Sequence, residues 1–287
     1  MSGEAVTAQS PNAGAMDAGA IDASAIDASA ADAGALGSAP PLCRYALRLG
    51  DLGLILGQRL GEWVGHAPVL EEDLGLANVA LDLIGQARLL LSYAGEAEGR
   101  GRTEDDLAFL REQGEYLNPT LVEQPNGDFG ETIVRQVLID AFQLALYERL
   151  ANSADERLAA IAAKAVKETR YHLRYSSSWL VRLGDGTPES HARVQSSLER
   201  LWRYTAELFE EDELDRDMAA RGIAPRLAEV RTAWSARIDE ILAEATLERP
   251  RDVPYSWFGK RGEHSEHLGY ILAEMQYLPR AYPGARW

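Results

Sequence analysis

Ile161, Ala165, Glu168, His172, Tyr175 and Trp179 follow one another in steps of four and three residues. That rhythm puts all six on one face of an α-helix, in the alternation of a packed bundle seam. A helix of this kind needs neighbours of comparable length to cover its face. The preceding helix, predicted from about Phe129 to Asn152, repeats the pattern in Ile133, Val137, Asp140 and Leu144. Both stripes therefore carry polar groups inward. Burial of such groups is costly unless they are paired or bound to metal, which makes Asp140, Glu168 and His172 candidate site residues.

From Pro41 onward the pattern is helical almost throughout. In residues 42–65, Gly53, Gly57, Gly61 and Gly65 recur every fourth residue. Each glycine weakens a helix by ~1 kcal/mol against alanine, so the stripe predicts close approach of another backbone. Residues 69–99 give a long helix with Leu76, Ala80, Leu83, Ala87 and Leu90 on its apolar face, flanked by Leu74, Leu81 and Ile84. Thr103 with Asp106, and Ser153 with Glu156, read as capping boxes, and Thr187-Pro188 as an N-cap and first helical residue. The stretch "NPTLVEQPNGD" reads as a turn-rich loop. Further helices are expected over roughly 188–210, 225–247 and 264–280, and no segment has strand periodicity. The expected architecture is all-α, about seven helices, with a four-helix bundle core.

Residues 15–34 repeat AMDAG, AIDAS, AIDAS, AADAG, with few large apolar groups. Such a segment cannot bury enough surface to offset its ordering entropy, so residues 1–40 are expected to be a disordered extension and 41–287 the helical domain. The net charge of −16 is spread unevenly: the extension holds five acids and no base, leaving −11 for the rest. This balance argues against a nucleic-acid partner. A single cysteine, Cys43, precludes an internal disulfide and fits a reducing compartment. There is no basic, apolar leader, and no stretch approaches the ~20 apolar residues that cross a membrane. The expectation is a cytoplasmic protein with no membrane partner.

Carboxylate-bridged di-iron bundles need a Glu from each of two helices and a Glu-x-x-His from each of the other two. His172 has Thr169 three residues before it, with Glu168 one place off; Asp82-Leu83-Ile84-Gly85 has glycine where the second histidine would fall. No histidine occurs between His66 and His172. The count predicts no metal in this chain. Asp82, Asp140, Glu168 and His172 then form a polar relic, with Asp140, Glu168 and His172 satisfying one another or Arg and Tyr partners. His264 and His267, three apart, read as polar helix-start or interface residues rather than half a metal site. Without strands there is no phosphate-binding strand–loop–helix.

The segments "YALRLGD", "LGQRLGEWVGHAPVLEEDLGLANVALDLIGQARLLLSYAGE", "TLVEQPNGDF", "KETRYHLRYSSSWLVRLGDG", "LWRYTAELF" and "HSEHLGYILAEMQYLPRAYPGARW" resemble the C-subunit family of bacterial phenylacetyl-CoA 1,2-epoxidase, over essentially all of residues 42–287. The resemblance implies a ferritin-like bundle that has lost its metal ligands. It implies a homologous di-iron subunit as catalytic partner, and a reductase carrying FAD and an iron–sulfur cluster. The complex would epoxidise the aromatic ring of phenylacetyl-CoA. The resemblance also implies acyl-CoA contacts at Glu115, Tyr116, Leu117 and Asn118, and at Arg216, Asp217 and Met218. Tyr116 stands where the family usually has Phe, and an Arg stands where it can have an aliphatic residue; backbone contacts would tolerate both. By themselves, Tyr116 and Met218 read as ordinary core or rim residues. Two other readings are a self-sufficient di-iron oxygenase or ferroxidase, against which the absent second histidine counts, and a standalone helical interaction protein.

Overall fold

The computed structural model describes residues 39–254 and 257–285. The extension expected over residues 1–40 lies, but for its last two residues, outside them.

Helix α1 (Pro41–Gly61) turns back into α2 (Leu70–Glu98) as an antiparallel pair. Part of the glycine stripe makes this packing possible. A Cβ on Gly53 would meet the Leu83 carbonyl oxygen at 3.1 Å, and one on Gly57 would meet Ile84 Cγ1 at 3.0 Å. The stripe does not extend as expected: nothing lies within 4 Å of a Cβ on Gly61, and Gly65 sits beyond the helix end with φ +82°. Gly50 instead continues the contact, against Leu91 and Leu90.

A crossover follows. It contains α3 (Glu104–Phe109), opened by the expected Thr103–Asp106 capping box, and the one-turn α4 (Thr120–Glu123) inside the predicted loop. The second hairpin is α5 (Phe129–Leu150) and α6 (Glu156–Gly184), with α2 against α6. Asp155, not Ser153, caps α6 by accepting from the Leu158 N–H at 2.9 Å. Ser153 is drawn away because its hydroxyl donates to the Ile223 carbonyl.

α5 is the central helix, buried on almost every side. α6, α7 (Pro188–Trp202) and α10 (Leu227–Glu244) pack on it, and Trp234 Nε1 donates to the Leu138 carbonyl at 3.0 Å. The helix expected over 188–210 breaks at Arg203, and α8 (Thr205–Phe209) follows. α9 (Glu213–Ala220), unforeseen in the sequence, packs on α1. The C-terminal helix is split into α11 (Glu266–Met275) and α12 (Tyr277–Ala281). Two antiparallel hairpins joined by a crossover, with further C-terminal helices, make the ferritin-like arrangement; among the described residues there is no strand, only an isolated bridge between Phe258 and Glu263.

One expectation about membranes needs correction. α2 is long and apolar enough, by length and composition, to cross a bilayer. Here Leu76, Val79, Leu83, Ala87 and Leu90 are buried in the bundle instead.

Candidate functional site

The polar groups of the bundle do not satisfy one another as expected. Asp140 accepts from Gln136 Nε2 and Ser176 Oγ, both at 2.7 Å. His172 Nε2 lies 3.0 Å from Asp82 Oδ2, and Glu168 accepts from Gln86 Nε2 at 2.9 Å. Three groups thus have three separate partner sets. The reason is a rotation of α6 relative to the predicted stripe. Thr169, His172, Ser176 and Leu180 are fully covered, whereas Glu168, Tyr175 and Trp179 lie on the flank, half-buried. Burial pushes the Asp140 carboxyl up to about 6, although His172, Ser176 and Gln136 pull the other way.

A di-iron centre can be tested against this seam. Gln86, Gln136 and Gln143 each bury an amide oxygen that has no protein partner, as do Thr169 Oγ1 and His172 Nδ1. Along α2, α5 and α6 the interior is therefore lined with amides and hydroxyls, with Asp140 as the one fully buried carboxylate and His172 as the one histidine. Two irons would need four carboxylates and two histidines. Among the described residues no three His, Cys, Asp or Glu side chains converge on one point. The residues present do not fit the centre.

The other candidate residues gather elsewhere. A surface cavity of about 740 Å³ lies between the segment 114–117 and the start of α9, walled by Arg44, Leu117, Arg216 and Arg261 and by the acidic run 210–213. The two predicted contact stretches, about a hundred residues apart in sequence, meet here. Only Leu117 and Arg216 of the seven residues line it. The side chains of Tyr116, Asn118 and Met218 are fully buried. Glu115 is also nearly covered, and its carboxylate accepts from the Glu112 N–H; Asp217 is exposed and pairs with Arg221 at 3.2 Å.

Buried charges hold both walls. Beneath α9, Arg48 bonds Asp212 at 2.6 Å and Asp215 at 2.9 Å, and Lys260 bonds Asp215 at 3.2 Å. Burial presses the Lys260 ammonium below its ordinary value, with Asp215 opposing. The loop wall is tied through its backbone. Arg111 pairs with Asp51 and donates to the Glu115 carbonyl at 2.8 Å. Asp51 accepts the Leu117 N–H at 2.8 Å, and Glu207 the Thr120 N–H at 2.7 Å. His264, expected to be a polar helix-start or interface residue, is instead buried against Glu123 and the Tyr116 carbonyl. Gly259 lets a second strand of backbone lie on this loop: a Cβ there would come within 2.5 Å of the Asn118 carbonyl oxygen.

Sequence reasoning missed Arg48, Asp51, Arg111, Glu123 and Lys260. One signal was present for the first two: charged residues inside the otherwise apolar run of α1 must find buried partners.

The family model described as phenylacetic acid catabolic protein matches residues 16–287. The chain is 55% identical, over 246 residues, to the C component of 1,2-phenylacetyl-CoA epoxidase from Escherichia coli (strain K12), covering 86% of this chain and 99% of that protein. With the family model spanning the whole helical domain, this chain belongs to the phenylacetic acid catabolic protein family.

Proposed function

We propose that this chain is the non-catalytic subunit of a cytoplasmic phenylacetyl-CoA ring 1,2-epoxidase, supporting a homologous di-iron subunit and contributing one wall of the acyl-CoA site. The observation that carries the reading is the donor set of the bundle. Where iron would need carboxylates and a second histidine, Gln86, Gln136, Gln143, Thr169 and Ser176 stand inward. Oxygen activation then belongs to the partner, and electron supply to a reductase with FAD and an iron–sulfur cluster.

Two further features support it. Leu70, Leu74 and Leu81 of α2 are 70%, 57% and 66% exposed, with Val64 and Val69 beside them. An apolar helix face of this kind suits a permanent partner, whose interfaces commonly bury more than ~2,000 Å². The cavity of Leu117, Arg216, Arg44 and Arg261 offers guanidinium groups to a phosphate-bearing thioester.

Metal analysis and reconstitution test this together. The purified chain should hold well under one iron and form no epoxide with reductase, NADPH and oxygen. Added to the di-iron subunit, it should restore epoxide formation and co-elute in gel filtration. Stoichiometric di-iron in this chain, or full activity of the partner without it, overturns the reading.

A further inference from the structure

Among the described residues, His264 is the one histidine whose two ring nitrogens both face acceptors. Nε2 is 2.8 Å from the Tyr116 carbonyl oxygen, and Nδ1 is 3.2 Å from Glu123 Oε2. A carbonyl oxygen only accepts, so Nε2 must carry a proton. Glu123 already accepts the Ser265 N–H at Oε1 (2.9 Å), and Asn118 Nδ2 stands 3.5 Å from Oε2. Those donors favour the carboxylate, which then requires a second proton at Nδ1. The geometry therefore demands an imidazolium. Both side chains are wholly buried, so the pair has no water to fall back on.

The surrounding charges are accounted for. Asp51 of α1 is neutralised by Arg111, which approaches from the segment after α3. Arg59 of α1 donates to the Glu123 main-chain carbonyl at 2.7 Å, and Glu207 of α8 is engaged by the Thr120 and Lys260 N–H groups. Burial disfavours the His264 cation, yet Glu123, the Tyr116 carbonyl and the more distant Asp51 outweigh it and hold the imidazole above its ordinary value. The other side chains gripping the 115–120 backbone are Arg111, Asp51, the amides of Asn118 and Gln124, and Glu207, whose carboxyl burial raises above its ordinary value. His264 is the one histidine among them.

We propose that His264 is a positioning residue for the acyl-CoA cavity: as an imidazolium it pins the Tyr116 carbonyl, and its deprotonation releases the wall formed by residues 114–118. The proposal rests on the acyl-CoA reading of that cavity. Loss of one proton leaves either a lone pair against the Tyr116 oxygen or Glu123 buried without its partner. Leu117, next in the chain, would lose its place in the wall. The same segment joins both elements, since Arg261 lines the cavity three residues before His264.

The test uses the full-length chain reconstituted with its di-iron subunit, with phenylacetyl-CoA as the probe and pH as the variable. Affinity should fall about fivefold or more, the scale of a lost hydrogen bond, as pH rises through the His264 titration followed by NMR of its ring protons. Amide hydrogen exchange at 114–118, corrected for the base-catalysed rise of intrinsic exchange with pH and read without any ligand, should quicken over the same range. Glu123→Gln is the informative variant. Its amide can donate to Nδ1 while a neutral His264 still donates to Tyr116, so both bonds survive without charge and the pH dependence should vanish. His264→Leu should show fast exchange at every pH. If 114–118 exchange stays flat across the His264 titration, or Glu123→Gln keeps the wild-type pH profile, the proposal is wrong. If exchange responds but acyl-CoA affinity is indifferent to both pH and Arg216→Ala, the acyl-CoA reading of the cavity fails and the His264 proton switch stands.

Discussion

The chain buries polar groups in two places, and it treats them in opposite ways. In the bundle seam, Asp140 is held by an amide and a hydroxyl, and several buried amide oxygens have no protein partner. Around the cavity, Asp51, Arg111, Glu123, His264 and Glu207 occur as paired or backbone-bound charges, each tied to the 115–120 loop or the segment packed on it. The seam consists of polar residues tolerated in a core; the cavity network holds irregular backbone in place. A loop has no ladder of its own, so its carbonyl and N–H groups must find side chains when buried. The helices of the seam have no such need, since their backbone is already satisfied. Removing a charge should therefore cost stability beside the cavity and restore it in the seam.

The largest effect should come from Arg111→Met. It leaves Asp51 fully buried without its cation and frees the Glu115 carbonyl, so denaturant unfolding should show a loss of ~3–5 kcal/mol. A loss under ~1 kcal/mol would erase the contrast between the regions.

Asp140→Asn should go the other way. The carboxyl titrates near 6 in the folded chain against an ordinary 3.8. The folded state therefore holds its proton more tightly, and stability falls as pH rises between those values. Asn removes that slope and should raise stability at pH 7 by up to ~3 kcal/mol. A pH-stability curve unchanged between parent and variant would show that Asp140 is not desolvated.

His264 has the opposite sign. Its folded value is raised, so its stabilisation is complete below the unfolded histidine value and disappears as pH rises through the folded one. Melting curves of the parent and His264→Leu should converge at alkaline pH. Curves separated by a constant gap would show that His264 contributes packing alone.

The smallest stability effect belongs to Arg216→Ala on the cavity rim. It gives up one bond from the guanidinium to the Glu211 carbonyl, made at an exposed position. Unfolding should shift by no more than ~0.5 kcal/mol, while phenylacetyl-CoA binding weakens. A large unfolding shift would mean that Arg216 belongs to the framework rather than the ligand wall.

Helix periodicity and caps are local, and the sequence alone determined them: the bundle's four long helices, the Thr103 box and Thr187-Pro188 appear where predicted. The missing ligand pattern was equally legible, because Glu-x-x-His is a spacing within one helix. Packing rotation was not. A small turn of α6 exchanged Glu168 and Tyr175 for Thr169 and Ser176 at the core, and periodicity alone does not resolve a shift of one residue when 3.6 residues make a turn. Partners distant in sequence were beyond reach as well. Glu123 meets His264 141 residues away, and Arg48 meets Asp215 167 residues away. Such pairs form only after α1, α4, α9 and the C-terminal segment have docked, since tertiary packing alone brings them within bonding distance and excludes the water that would otherwise separate them.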